Sequence, residues 1–164
     1  MATKGNTGVN KGIPVIKDAF IVIVKTEWNA LIINKLEKGC KRILMQAGAK
    51  SVTLVVPGAV EIPFAVKAYA QSSKTPADAF ITIGTVVRGG TPHFDYVCKA
   101  VTDGVVSLNM LLDVPVIFGV LTVDNEEQAW ERTGGIHGHK GEEAAVTALK
   151  MIELNRKLKK NSRW

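Results

Sequence analysis

The stretch AFITIGTVV, residues 79–87, followed directly by RGGTPH, residues 88–93, decides the fold class. The first segment is largely apolar without alternation, which is typical of a strand buried on both faces of a sheet. The second segment holds small residues and a proline, and it leads to Val97, Val101 and Val105, which recur at helical spacing. A buried strand that passes through a short turn into a helix is the repeating unit of a parallel α/β sheet.

The same pattern extends in both directions along the chain. It predicts further strands at residues 19–24, 51–56 and 115–123, and helices at residues 29–47, 62–71, 97–112, 125–132 and 142–160. This order predicts an α/β fold, a three-layer α/β/α sandwich whose central sheet has four parallel strands in flavodoxin-like order.

Length and composition suit one globular domain, because the chain has 164 residues, of which 46% are hydrophobic. We predict this domain at residues 18–160, between a flexible N-terminal arm at 1–17 and a C-terminal tail at 161–164. Two cysteines, Cys40 and Cys98, form no disulfide framework, which favours a reducing cytoplasm. An apolar leader and a run of roughly 20 apolar residues are both lacking, so neither secretion nor membrane insertion is expected.

The net charge of +6 is concentrated at the C-terminus, where residues 155–164 carry five basic side chains and no acidic one. A basic run can bind nucleic acid, but at a chain end it is more often the solvated end of a helix. No nucleic-acid partner is therefore expected. Salt-dependent retention on a polyanion would contradict this expectation.

Ligands of open parallel sheets bind beyond the carboxyl ends of the strands. That rule selects residues 25–29, 57–61, 88–93 and 122–125. Segment 88–93 combines free N–H groups at a helix start with small residues and a hydroxyl, which favours a bound phosphate. The alternative is an ordinary turn in which Thr91 caps the helix and Pro92 lies in its first turn.

Three side chains near these strand ends, and one within a predicted strand, could take part in chemistry. His93 could transfer a proton near neutral pH, although a lone histidine is more often structural. Trp28 could stack on a flat heterocycle, although most tryptophans fill cores. Glu61 could bind the hydroxyls of a polyol, or it could merely complement a helix dipole. Phe118 lies inside a predicted strand and would ordinarily belong to the core.

A glycine-rich segment, TGGIHGHKG at residues 133–141, is interpreted as a turn. Around it Arg132, His137, His139 and Lys140 could contact a phosphate or a carbonyl. Two histidines without a third ligand at convincing spacing predict no metal site. The sequence also lacks the motifs of P-loop enzymes, dinucleotide-binding enzymes, zinc proteases and serine hydrolases.

Four segments, in order, resemble the successive motifs of the lumazine synthase family: VVPGAVEIPFAVK at 55–67, GTVVRGGTPHFDYV at 84–97, PVIFGVLTVDNEEQAWER at 115–132 and HKGEEAA at 139–145. The resemblance covers most of the chain. It implies a transferase of riboflavin biosynthesis that condenses 5-amino-6-(D-ribitylamino)uracil with 3,4-dihydroxy-2-butanone 4-phosphate. The products would be 6,7-dimethyl-8-ribityllumazine, phosphate and water, formed without a cofactor or a metal.

Carried over position by position, the resemblance implies a role for each candidate. His93 would transfer protons, Trp28 would stack on the pyrimidine, and Phe118 would close the pocket from a neighbouring subunit. The positions implied to bind phosphate are Gly90, Thr91 and Arg132. The remaining positions implied to contact the ribitylaminouracil are Asn29, Ala59, Val60, Glu61, Thr85, Val86, Val87 and Lys140.

The resemblance also implies a homo-oligomer with active sites between subunits. It would be a pentamer, or a 60-subunit icosahedral shell, that could associate with riboflavin synthase, and its N-terminal arm could add a strand to a neighbour. The alternative is a catalytically weak shell or scaffold of the same family, against which the intact His93 and Arg132 argue. The chain departs from the family pattern at Val60, where a larger residue is common, at Ile136, where lysine is frequent, and at His139, where asparagine is frequent.

Overall fold

Four parallel strands and five helices form most of the structure, a computed structural model that describes residues 12–161. The strands are β1 (Phe20–Thr26), β2 (Lys50–Val56), β3 (Ala79–Val87) and β4 (Val116–Val123), and the helices are α1 (Ala30–Gln46), α2 (Ile62–Ser72), α3 (His93–Leu111), α4 (Glu126–Trp130) and α5 (Lys140–Asn161). The strands pair in the order β2-β1-β3-β4, all in parallel. The predicted fold class is confirmed.

Each face of the sheet is buried under a pair of helices, which explains why the strand sequences do not alternate. Along β1, Ile21 and Ile23 pack into the core under α1 and α5, whereas Val22 and Val24 pack into the core under α2 and α3. All four are fully buried. Burial of each such side chain contributes about 1.5 to 3 kcal/mol, so both layers of helices are firmly attached to the sheet.

The segment predicted as a glycine-rich turn is instead a small antiparallel hairpin of strands β5 (Thr133–Gly135) and β6 (Gly138–His139). Strands this short and glycine-rich carry no apolar alternation, so the pattern could not reveal them. Helix α5 begins at Lys140 instead of residue 142, and His139 explains the earlier start. Its imidazole Nδ1 accepts a hydrogen bond from the Glu142 N–H at 3.4 Å, in the first turn.

Helix α3 begins four residues earlier than predicted, at His93, and the remaining boundaries differ from the predicted ones by at most two residues. Helix α4 is shorter than predicted because Asn125 lies outside it as the N-cap, with its side-chain oxygen accepting the Gln128 N–H at 2.9 Å. Strand β1 continues to Thr26, two residues past the predicted end, because its ladder with β2 extends to Val56.

Residues 1–11 and 162–164, which include most of the predicted arm and tail, lie outside the described part of the chain. Ile13 packs against the core under α1 and α5, and Ile16 belongs to that core. The Ile16 N–H donates to the Ala47 carbonyl at 3.0 Å. Among residues 12–161, none of the helices combines the length and hydropathy that a bilayer crossing requires.

Candidate active site

The carboxyl ends of β1, β2 and β3 bring several of the predicted site residues together. Beyond β1, the N–H of Glu27 donates to the Val56 carbonyl at 2.8 Å, and the N–H of Trp28 donates to the Pro57 carbonyl at 3.3 Å. The loop after β1 is thereby held against the turn after β2. This edge of the sheet carries Trp28, Asn29, Ala59, Val60, Glu61 and Thr85.

Trp28 is not a core residue, because 67% of its surface is exposed. Its indole lies against the backbone of Gly58, and a Cβ at position 58 would come within 2.8 Å of the ring carbon Cζ3. A glycine at this position therefore allows the ring to pack closely on the turn. An exposed aromatic ring seated on a rigid turn is suited to stack on a flat ligand.

Glu61 closes the turn that follows β2. One of its carboxylate oxygens accepts the Gly58 N–H at 3.0 Å. The contact fixes the turn and occupies one carboxylate oxygen, so the other oxygen is available to a hydroxyl. Within the turn, Ala59 is buried and Val60 is about half exposed.

Asn29 links the end of β1 to the end of β3. Its side-chain amide donates to the Thr85 carbonyl at 3.0 Å. The Thr85 hydroxyl is buried and has no hydrogen-bond partner within residues 12–161. Beyond it, Val86 and Val87 are half-buried. An unpaired buried hydroxyl is costly, so a ligand atom that reached it would gain a hydrogen bond.

The segment after β3 leaves its predicted phosphate-binding residues open to solvent. Gly90, Thr91 and His93 are all exposed, and a Cβ at position 90 would meet no atom within 4 Å beyond the adjacent residues. The interpretation of Thr91 as a helix cap is wrong, because α3 begins at His93 and no side chain caps its start. The Asp95 N–H donates to the Pro92 carbonyl at 3.0 Å, so the N–H groups of His93 and Phe94 are the ones available to an anion at the start of this 19-residue helix.

Arg88 fixes this segment to the end of β4. Its Nε donates to Asp124 at 2.9 Å, and one terminal nitrogen reaches Asp95 at 3.4 Å. The guanidinium also lies over the Phe94 ring, with 4.0 Å between its carbon and the ring centroid. The arginine is therefore engaged with protein groups and holds the loop in place.

Phe118 and Lys140 lie together in a different part of the subunit. Both line a groove of about 460 Å³ between the edge strand β4 and helix α5. Phe118 is 41% exposed. It is therefore not a core residue, which is consistent with the pocket-closing role that the family resemblance implies. The Lys140 ammonium is held by both carboxylate oxygens of Glu143 at 2.9 Å.

Arg132 is joined to Lys140 through the β5–β6 hairpin. The Lys140 N–H donates to the Arg132 carbonyl at 2.9 Å, and the Arg132 guanidinium donates to the Gln128 carbonyl at 2.7 Å. The structure thus places two predicted ligand-binding cations on either side of one hairpin.

The residues around Trp28 and the residues around Phe118 lie at different positions along the sheet of one chain. In the ladder between β3 and β4, Thr85 faces Leu121, and Phe118 lies three residues earlier, opposite Thr82. At the rise of a parallel strand, that offset is about 10 Å along the sheet. Within one chain, Phe118 is therefore displaced along the sheet from the strand end that carries Thr85.

Within the described residues, no group of three or more histidine, cysteine, aspartate or glutamate side chains is placed to hold a metal ion. The His137 Nε2 lies 3.4 Å from a carboxylate oxygen of Glu131.

A sequence profile described as 6,7-dimethyl-8-ribityllumazine synthase matches residues 18–156. The chain belongs to this family. Its relatives include proteins of that name from Porphyromonas gingivalis, 48% identical over 89% of this chain and 91% of the relative, and from Parabacteroides distasonis, 45% identical over 87% and 90%. A third, from Cytophaga hutchinsonii, is 41% identical over 92% and 96%.

Two residues that shape the candidate active site were not predicted from the sequence. Gly58 lies in the strand-end segment 57–61 selected from the sequence, but its role as a seat for the Trp28 ring depends on a contact between two strand ends. Gly39, inside α1, faces the His139 imidazole. A lone glycine within an amphipathic helix signals a close packing contact, and that signal could have revealed it.

Proposed function

We propose that this chain catalyses the condensation of 5-amino-6-(D-ribitylamino)uracil with 3,4-dihydroxy-2-butanone 4-phosphate to 6,7-dimethyl-8-ribityllumazine, phosphate and water. The observation that carries the proposal is the exposed indole of Trp28, seated on Gly58 beside the Asn29 to Thr85 hydrogen bond. This arrangement offers a stacking surface for a pyrimidine next to strand-end polar groups that can recognise its edge.

The polar groups around Trp28 match the parts of the first substrate. Glu61 has a carboxylate oxygen for the ribityl hydroxyls, and the turn at Ala59 and Val60 lies next to it. The backbone of Thr85 to Val87 continues along the edge where the pyrimidine would lie. Recognition by fixed backbone groups and one carboxylate orients the substrate at little entropic cost.

The phosphate of the second substrate would lie at the start of α3, near Gly90 and Thr91, with Arg132 reaching it from the hairpin. The uracil amine attacks the ketone, and loss of water gives a Schiff base. Elimination then releases phosphate and leaves an enol at the carbon that carried the 3-hydroxyl, and this enol tautomerises to a ketone. Attack by the second nitrogen on that new ketone closes the ring with loss of a second water. Each step moves a proton, and His93, the first residue of α3, would transfer protons close to the phosphate.

We propose further that the active site is shared between subunits of a homopentamer, in which the β4 to α5 groove of one subunit meets the strand ends of the next. The offset of about 10 Å between Phe118 and Thr85 supports this arrangement. Closure into a 60-subunit shell and association with riboflavin synthase are proposed from family membership alone. A cytoplasmic location is proposed because both cysteines are unpaired.

The test is to mix the purified protein with both substrates and follow the absorbance and fluorescence of the lumazine together with phosphate release. We expect one phosphate per lumazine, formed faster than without protein, and no product when either substrate is withheld. A folded oligomer that gives no acceleration would contradict the proposal and favour a scaffold of the same family.

A further inference from the structure

His139 connects three elements that surround the hairpin. Its backbone pairs with Thr133 in the hairpin, its Nδ1 accepts the Glu142 N–H at the start of α5, and its ring packs against α1 at Gly39. A Cβ at position 39 would overlap the imidazole. Helix α1 therefore has a gap that the ring of His139 fills.

The start of α5 is packed against α1 with the same closeness. Gly141 lies against the carbonyl of Leu36, where a Cβ would also overlap the helix backbone. One turn of α5 is thus locked onto α1 by a glycine on each helix and by the ring between them. Lys140, which begins this turn, has little freedom to shift.

An isolated two-stranded hairpin is only marginally stable in water, so β5 and β6 need an external anchor. The described contacts of His139 supply this anchor, because its side chain joins the hairpin to helices α1 and α5. Arg132 directly precedes β5 and Lys140 directly follows β6. The Lys140 N–H donates to the Arg132 carbonyl at 2.9 Å. A displacement of His139 would therefore move both cations.

We propose that His139 is a positioning residue that fixes Arg132 and Lys140 relative to each other and to helix α1. The inference rests on the proposed function, because the two cations belong to the proposed active site. The imidazole of His139 lies against Gly39 of α1 and accepts the Glu142 N–H of α5, so we assign it an effect on the substrates through its neighbours.

The protonation state of the ring agrees with this role. Burial lowers the pKa of His139 below its usual range, opposed by the charge of Glu142 from α5 and assisted by that of Arg42 from α1. Arg42 and Glu142 also form an ion pair with each other. An unprotonated Nδ1 is the form that can accept the Glu142 N–H.

Two substitutions disturb the contact from opposite sides. His139→Ala removes the ring, and Gly39→Ala keeps the ring but displaces it. We expect both to raise the KM for the butanone phosphate at least fivefold, while kcat falls less than threefold. His139→Asn can still accept the Glu142 N–H, so it should recover at least half of the lost affinity. Ile152→Ala is the matched control, because it weakens the same core without touching the hairpin.

Hydrogen exchange gives a readout that needs no catalysis. In His139→Ala and Gly39→Ala, peptides covering residues 130–146 should exchange at least tenfold faster, whereas peptides from β3 should exchange as in the unsubstituted protein. This result separates the two proposals, because it holds or fails whether or not the protein makes lumazine. Faster exchange with an unchanged KM would show that His139 only stabilises the hairpin. Unchanged exchange would show that His139 does not anchor the hairpin. Either result would refute the proposal that His139 is a positioning residue.

Discussion

Asn29 donates a hydrogen bond from its side-chain amide to the carbonyl of Thr85, across 3.0 Å and between two neighbouring strand ends. Asn29 is also the one non-glycine residue with positive φ in the described part of the chain, at 60°. Asparagine tolerates this left-handed conformation better than most residues do. A backbone held in an uncommon conformation at a binding edge is typical of a functional site.

The two features of Asn29 can be separated by substitution. Asn29→Gly keeps the backbone conformation and loses the hydrogen bond, whereas Asn29→Ala loses the bond and also strains the backbone by about 1 kcal/mol. We expect both variants to raise the KM for the ribitylaminouracil and to lower the Tm through the lost hydrogen bond, with the alanine variant melting about 2 to 4 °C below the glycine variant. Equal melting temperatures would show that the left-handed conformation of residue 29 has no cost in stability.

His93→Ala should slow the enzyme without abolishing catalysis. A positioned general acid or base contributes roughly 10² to 10⁴-fold, whereas holding two reactants together can contribute about 7 to 11 kcal/mol. Single-turnover rates of lumazine formation should therefore fall within that range and still exceed the uncatalysed rate. A folded, correctly assembled variant that performs no better than buffer would reverse this ranking.

Phe118 and Phe80 form a matched pair for separating function from stability. Phe80 is 1% exposed and packs edge-on against Tyr69, with 5.9 Å between the ring centroids. Phe80→Ala should cost about 3 to 5 kcal/mol and give little soluble protein. Phe118→Ala removes a ring that is 41% exposed, so we expect a folded protein with activity about tenfold or more below normal. Unchanged activity in Phe118→Ala would remove the residue from the site.

Glu37 should make stability depend on pH in the acid range. Burial raises its pKa, but hydrogen bonds from Lys25, Lys41 and Thr53 outweigh burial and lower it from 4.5 to about 2. A carboxylate with a lowered pKa contributes stability above its unfolded pKa, and the contribution is lost as the pH falls from about 4.5 toward 2. Glu37→Gln should therefore cost about 2 kcal/mol at pH 7 and progressively less below pH 4.

The control for this prediction is Glu153→Gln. Glu153 pairs with Lys157 on the surface, where an ion pair contributes about 0 to 1 kcal/mol. The melting temperature of the Glu153→Gln variant should follow that of the unsubstituted protein at every pH. If the melting temperature of the Glu37→Gln variant also follows that of the unsubstituted protein at every pH, the contacts of the Glu37 carboxylate add no net stability.

The sequence predicted the sheet because its strands are buried on both faces, and unalternated apolar runs such as residues 79–87 are typical of such strands. It also placed Trp28 and Glu61 near strand ends. What it could not show were contacts that depend on strand order. The Asn29 to Thr85 bond joins residues 56 positions apart, and it exists because β1 and β3 are neighbours.

Local sequence was a poor guide where packing decides the structure. Thr91 followed by proline is a typical helix start, yet the helix begins at His93 without a side-chain cap. His139 differs from the residue that is frequent in the family, and the sequence did not indicate its contact. In the structure its imidazole packs against Gly39. Neither outcome follows from propensity, because both depend on which elements lie nearby.

The most direct test of the shared active site is subunit mixing. Trp28→Ala and Phe118→Ala should each remove one side of the stacking sandwich, so each homogeneous oligomer should have low activity. When the two variants are co-expressed and assemble at random, about a quarter of the sites between neighbours should be intact. We predict that lumazine formation recovers to about that fraction of normal activity. Activity equal to the average of the two parents would show that Trp28 and Phe118 do not meet across a subunit boundary.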